Sequence, residues 1–249
     1  MNNNMESKFE IIMKDKSNCI SRGAFSLCYF DKDYNYDQII DSLTIEEQGY
    51  FKTLKFKARI KSYLQGRFAA KKALSTFFYG ENTNNLSTFN GFLNQPILST
   101  QENIQISLSH SHSLGGALVF PEAIPMGLDI EFMSDENASI FETQLTSGEK
   151  KLINYHNDKD YKKTLMIIWT AKEALSKILR TGLTVPLEVL EVKNIKYVEQ
   201  NEFKCDFTNF GVFTTHSFVF EDYICSLAYP AQLSLVQQKF KVEEDVLLK

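Results

Sequence analysis

No run in the 249-residue sequence approaches the ~20 apolar residues needed to cross a bilayer. The opening MNNNMESKFE lacks the basic end and apolar stretch of a secretory leader, so the expected location is the cytoplasm. Cys19, Cys28, Cys205 and Cys225 form no C-x-x-C pair, which fits neither a zinc site nor a disulfide framework. They read as reduced thiols buried as small hydrophobes. A broad positive field is missing as well: 27 basic and 31 acidic side chains leave a net charge of −4. Nucleic acid is therefore not an expected partner, and any anionic ligand must be met by a local cluster. There is no G-x-S-x-G elbow to support a Ser-His-Asp triad. His110 and His112 have no cysteine or further histidine nearby, His156 and His216 being far along the chain, so a zinc centre is disfavoured.

What is present suffices for a packed core. Apolar residues make up 43% of a chain long enough for one large domain or two small ones. Sliding the sequence against itself by 102 residues places Leu43-Thr44 over Leu145-Thr146, Glu47 over Glu149, and the run Arg67–Leu74 over Trp169–Ser176 without a gap. Each copy opens on a Ser/Thr-x-x-Glu signature, Thr44 to Glu47 and Thr146 to Glu149, which predicts a capping box and a short helix. A longer helix follows in each, over roughly Ile60–Phe78 and, in the second copy, through Leu165, Ile168, Trp169, Leu175, Ile178 and Leu179, stopping near Gly182.

Strand-like segments lie between the helices at Ile104–Leu108, Gly116–Phe120 and Met126–Glu131. Alternating segments follow Pro186 at Leu187–Val192, Phe203–Phe207, Val212–Phe220 and Tyr223–Tyr229. The fold class is α+β, with two similar α+β lobes from one chain expected to form a pseudo-dimer and a ligand expected in the cleft between them. The expected division is an N-terminal lobe over 1–120, a C-terminal lobe over 121–236 and a tail over 237–249; the polar ends, Met1–Lys8 and Gln237–Lys249, read as mobile.

Three local patterns could carry chemistry. In a strand, Asp129 and Glu131 share one face, and paired carboxylates are tolerable when solvated or when a hard cation such as Mg²⁺ sits between them. A lone D-x-E is more often a half-exposed strand end. On the second long helix Trp169, Glu173 and Lys177 follow one another at four-residue spacing, which by itself reads as an ordinary surface ion pair. The polar run Ser107–Ser113 reads as a loop whose hydroxyls, imidazoles and N–H groups could face a phosphate.

The order of these pieces is specific: a G-R-x-x-x-K helix at Gly66-Arg67 and Lys71, S-H-S at Ser109–Ser111, G-L-D-I-E at Gly127–Glu131, and W-T-A-K-E-A-x-x-K from Trp169 to Lys177. Over roughly Leu43 to Pro186 the chain resembles the 4′-phosphopantetheinyl transferase superfamily, in its tandem-lobe, surfactin-synthetase-activating form. The resemblance implies a holo-[acyl-carrier-protein] synthase. Such an enzyme moves the phosphopantetheine arm of coenzyme A onto a serine of an apo acyl or peptidyl carrier protein and releases 3′,5′-ADP.

It implies that Asp129, Glu131 and Glu173 hold Mg²⁺ against the coenzyme pyrophosphate, with Lys172 and Lys177 beside it. Ser109 and His110 would meet the phosphoadenosine end, and Arg67 and Lys71 would form a basic patch from the first lobe. Glu173, or water on the metal, is the candidate to take the serine proton, with Lys177 a weaker one. Lys71 stands where the second copy has Glu173, so a single copy supplies that ligand. One departure is Gln95-Pro96, where the family often has a coenzyme-contacting lysine before the proline. The exposed lysines Lys150, Lys151, Lys162 and Lys163 are candidates for steering an acidic carrier, and the internal pseudo-dimer suggests a monomer. The competing readings are a module that binds coenzyme A or a carrier without transfer, and a Mg²⁺-dependent pyrophosphate hydrolase.

Overall fold

In the computed structural model, which describes residues 6–80, 83, 85–155, 161–199 and 201–236, each long helix lies on its own antiparallel sheet. The chain is mixed α+β and divides into two units. The first takes the chain up to Ile124 and resumes at Ser234; the second is Pro125–Leu233. No helix is long and apolar enough to cross a membrane among the described residues.

The first unit contains strands β1 (Glu6–Lys14), β2 (Ile20–Tyr29), β3 (Thr88–Asn90), β4 (Pro96–Leu98), β5 (Ile104–Ser111) and β6 (Leu114–Pro121). Its helices are α1 (Asp37–Ser42), α2 (Ile45–Phe51) and α3 (Lys57–Phe77). The five-stranded sheet is completed by β12 (Ser234–Val236), in the order β12-β1-β2-β6-β5, and β3 pairs with β4. Ala69, Ala70 and Ala73 give α3 a thin face, so its backbone can approach the sheet, and Ser26 Oγ on β2 donates to the Ala69 carbonyl at 2.8 Å. Leu64 and Leu74 fill the core with Phe30, Ile106 and Val119.

The second unit runs β7 (Gly127–Phe132), α4 (Asp135–Glu142), α5 (Ser147–Tyr155), α6 (Tyr161–Leu179), β8 (Val192–Glu199), β9 (Glu202–Phe207), β10 (Phe213–Phe220) and β11 (Tyr223–Pro230). Its sheet has the order β7-β11-β10-β9-β8. The two units follow one plan, and their helices keep the offset found in the sequence, from Ile45 to Ser147 and from Phe77 to Leu179. In each, a strand leads through short helices to a long one and pairs antiparallel with a later strand, β2 with β6 and β7 with β11. The long helices end at equivalent places, Phe77 and Leu179. Left-handed residues follow each, Tyr79 (φ 53°) and Gly80 (φ 80°) in one, Arg180 (φ 56°) and Gly182 (φ 53°) in the other.

Several local expectations change. Leu187–Leu190 forms a 3-10 turn after Pro186, and the strand begins only at Val192, because Leu190 is buried in the core while the Val192 N–H is taken by a side chain. The supposed loop at Ser107–Ser113 is mostly strand. Its backbone pairs with apolar β6 through Ser111↔Leu114, leaving His112 (φ 54°) in the turn. Glu6–Lys8 belong to β1, and β12 joins the first unit's sheet rather than the second's, since Ile12–Lys14 offer it a free edge. The expected tail at 237–249, Met1–Met5 and His156 lie outside the described residues.

Both capping boxes form, and both do more than cap. The Glu47 N–H donates to Thr44 Oγ1 (3.3 Å) and the Thr44 N–H to Glu47 Oε2 (3.1 Å); the corresponding distances for Thr146 and Glu149 are 3.1 and 2.9 Å. These glutamates are 2% and 0% exposed. Glu47 Oε1 also accepts from the Thr88 N–H at 2.9 Å, and Glu149 Oε1 from the Val192 N–H at 3.0 Å. Cations from the long helices face both: buried Arg67 and half-buried Lys71 at 3.7 and 3.4 Å from Glu47, buried Lys172 at 2.9 Å from Glu149. One carboxylate thus ties a short helix, a strand and the long helix together.

Glu149→Ala should strand the Lys172 ammonium in the core and destabilise the protein by about 3–5 kcal/mol. Urea unfolding followed by circular dichroism measures this; a loss below about 1 kcal/mol would mean that Lys172 reaches water.

Candidate functional site

The site in the second unit begins with a missing side chain. A Cβ on Gly127 would lie 2.0 Å from the Ala174 carbonyl oxygen, so only glycine lets the backbone of α6 rest on the start of β7. That contact delivers the next turn of the helix to the strand. Lys177 Nζ donates to the Leu128 carbonyl at 2.6 Å and to Asp129 Oδ1 at 2.8 Å. Asp129 is buried, 5% exposed, on the strand face it shares with Glu131.

Glu173, one helical turn before Lys177, feels the same carboxylate. Burial first, and then the charge of Asp129, push its pKa up to about 7, against the opposing pull of Lys177. One ammonium between two carboxylates leaves an excess of negative charge in a half-buried place. Glu131 stands on the same strand, half-buried and in register with Ile224 on β11.

This donor set fits Mg²⁺. The ligands are hard oxygens, a divalent ion would relieve the charge that lifts Glu173, and Mg²⁺ normally keeps several waters instead of requiring an all-protein cage. Among the described residues no group of three or more His, Cys, Asp or Glu side chains gathers closely enough to hold an ion by itself. Asp129 and Glu173 are therefore the pair brought together, with Glu131 beside them along the strand.

Trp169 completes the helical face with Glu173 and Lys177. It stacks on Phe141 of α4 with ring centroids 4.0 Å apart and planes 6° from parallel, which clamps α4 to α6. Beneath this face lies a seam of hydroxyls. Ser217 Oγ is 2.7 Å from Ser226 Oγ, which is 2.7 Å from Thr170 Oγ1, and Thr170 in turn donates to the Met166 carbonyl at 3.0 Å. Ser226 is the register partner of Asp129. No spacing in the sequence announces this seam, because its members come from two strands and a helix. Phe141 was equally invisible as the partner of Trp169.

The other residues named from the sequence are distributed differently. Lys172 is 2% exposed and committed to Glu149. Arg67, 4% exposed, lies over the Tyr63 ring at 4.5 Å and shares Glu47 with Lys71. The signals for Glu47 and Glu149 were visible as caps; their role as buried counter-ions was not. On β5, Ser109 is buried and His110 exposed. Gln95 Oε1 accepts from the Leu93 N–H at 2.9 Å and so closes the β3–β4 turn. Of the steering candidates, Lys162 pairs with Asp135 at 2.7 Å and Lys163 lies 5.7 Å from the Phe203 ring, whereas Lys150 and Lys151 are exposed on α5.

Residues 125–228, which contain this site whole, match the model of the 4′-phosphopantetheinyl transferase superfamily. A comparison with curated proteins returns no match.

The raised pKa of Glu173 has a thermodynamic sign. Folded Glu173 holds a proton up to about 7, while the unfolded chain releases it near the ordinary carboxylate value of 4.5. Between these values the native state binds more protons, so the Glu173 contribution to stability is present at low pH and is lost as pH rises through about 7. In metal-free buffer, thermal melts of the wild type should fall more steeply from pH 5 to pH 7.5 than those of Glu173→Gln, and added Mg²⁺ should flatten the difference. Parallel curves without metal would show that Glu173 is not perturbed.

Proposed function

We propose, from the premise that residues 125–228 form a domain of the 4′-phosphopantetheinyl transferase superfamily, that this chain loads apo carrier proteins from coenzyme A. The reaction is Mg²⁺-dependent transfer of the 4′-phosphopantetheine group to a serine of an acyl or peptidyl carrier, with 3′,5′-ADP released. The observation that carries this reading is the convergence of Asp129, Glu173 and Lys177 on the Gly127 contact, inside the matched segment.

The serine oxygen attacks the pyrophosphate phosphorus nearer the pantetheine. A P–O bond forms there and the bond to the 3′,5′-ADP oxygen breaks. Phosphoryl transfers of this kind demand placement and charge neutralisation more than covalent help from the protein. Asp129 and Glu173, with Glu131, would hold Mg²⁺, which when bound supplies charge neutralisation on the pyrophosphate.

The chain's own groups do the rest. Lys177 donates to the Leu128 carbonyl and to Asp129 Oδ1, and its positive charge is the proposed partner of a phosphate oxygen. Glu173, on the turn of α6 that faces Asp129, is the proposed acceptor of the serine proton. Lys172 acts at one remove: its pair with Glu149 anchors the turn of α6 from which Glu173 projects. Ser109 and His110 are the proposed contacts for the phosphoadenosine end.

Intact-mass spectrometry of apo carrier proteins incubated with the chain, coenzyme A and Mg²⁺ should show a metal-dependent gain of about 340 Da, one phosphopantetheine group. Asp129→Ala and Glu173→Ala should each lower the rate by about 100-fold or more while leaving the melting transition cooperative. Near-normal turnover by either variant at saturating Mg²⁺ would sink the assignment. Release of 3′,5′-ADP without any carrier would point to a hydrolase instead.

A further inference from the structure

The turn between α2 and α3 and the start of α3 carry Lys52, Lys55, Lys57, Arg59 and Lys61 with no acidic residue among them, in a chain whose net charge is −4. Everything outside this strip is thus more acidic than the whole. Lys52, Lys55, Lys57 and Arg59 are exposed, and Phe56 in their midst is 78% exposed. The apolar residues of the same segment, Phe51, Leu54 and Ile60, turn inward against the core. None of the five cations forms an ion pair among the described residues, in contrast to Arg67 and Lys71 farther along α3.

Local stability does not account for this pattern. The first turn of a helix favours acids, and its N-cap favours a short polar side chain. At α3 the first turn holds Lys57 and Arg59, no acid is present, and the cap is Phe56, which makes no capping hydrogen bond. An exposed aromatic ringed by unpaired cations has the composition of a docking surface: charge complementarity captures the partner and the ring gives it an anchor.

We infer that this strip docks an acidic protein surface with an apolar notch for Phe56, and that the protein docked is the carrier receiving the arm. The identification as carrier rests on the transferase reading above. Charge decides between a protein and a nucleic acid. A nucleic acid would extend its phosphates past the strip onto an acidic remainder, whereas an acidic patch of similar length ends where the strip ends.

The test uses the full chain as wild type, as Lys52→Glu/Lys55→Glu/Arg59→Glu and as Phe56→Ser, with melting curves confirming folding. Binding of a fluorescently labelled apo acyl carrier protein is measured by anisotropy without coenzyme, at low and high salt. Transfer kinetics are measured separately. The triple variant should bind the carrier about tenfold or more weakly and lose the salt dependence. Its KM for the carrier should rise by a similar factor, with kcat and KM for coenzyme A within about twofold of wild type. Phe56→Ser should weaken binding at both salt concentrations.

A rise in KM for coenzyme A with carrier binding intact would overturn the inference and make the strip a coenzyme contact. Unchanged constants throughout would overturn it as a solvated face. Loss of binding to phosphatidylserine vesicles, with carrier binding intact, would overturn it in favour of a membrane surface. Salt-sensitive carrier binding that the triple variant loses, with no transfer by the wild type, would uphold the docking surface and remove the transferase reading alone.

Discussion

A buried glutamate at the first turn of a short helix is the constraint on which each unit depends. Glu47 and Glu149 each satisfy backbone N–H groups of their own cap and of a strand across the unit, and the long helix sets two cations against the first and one against the second. A charge taken out of water is costly unless its lone pairs and its counter-ion are supplied together, so the three elements hold their places jointly. Lys172 follows from this. As the counter-ion of Glu149 it fixes the rotation of α6, and the adjacent Glu173 then faces β7 instead of solvent.

At β7 packing turns into electrostatics. The absence of a side chain at Gly127 lets helix and strand backbones meet, and the meeting brings Glu173 near Asp129, with Lys177 bridged to the strand. Burial, and after it the charge of Asp129, raise the proton affinity of Glu173 against the pull of Lys177, and a divalent cation would relieve that imbalance. Groups set this way are poised for phosphoryl chemistry, which asks a site for positioned charge above all. The hydroxyl seam of Thr170, Ser226 and Ser217 pairs its own buried oxygens with one another where the polar site meets the apolar core.

Much of this was legible in the sequence because it is local or periodic. The capping signatures, the long helices and their glycine ends, the i, i+2 placement of Asp129 and Glu131 and the four-residue spacing of Trp169, Glu173 and Lys177 all follow from one element's geometry. The duplication was readable because both copies keep those local signals in register. Where the sequence misled, pairing overrode local character. Ser107–Ser111 is polar enough for a loop and is a strand because β6 lies beside it, and Leu187–Leu190 alternates like a strand yet forms a turn.

The sequence by itself therefore determined the α+β class, the two capped short helices and the two long helices, since each rests on spacing along the chain. Only the tertiary structure decided what the charges do. It set Arg67, Lys71 and Lys172 against buried glutamates, Lys177 against Asp129, and left the cations of the α2–α3 turn exposed. The role of a charged side chain depends on its desolvation and its nearest opposite charge, and both belong to three-dimensional packing.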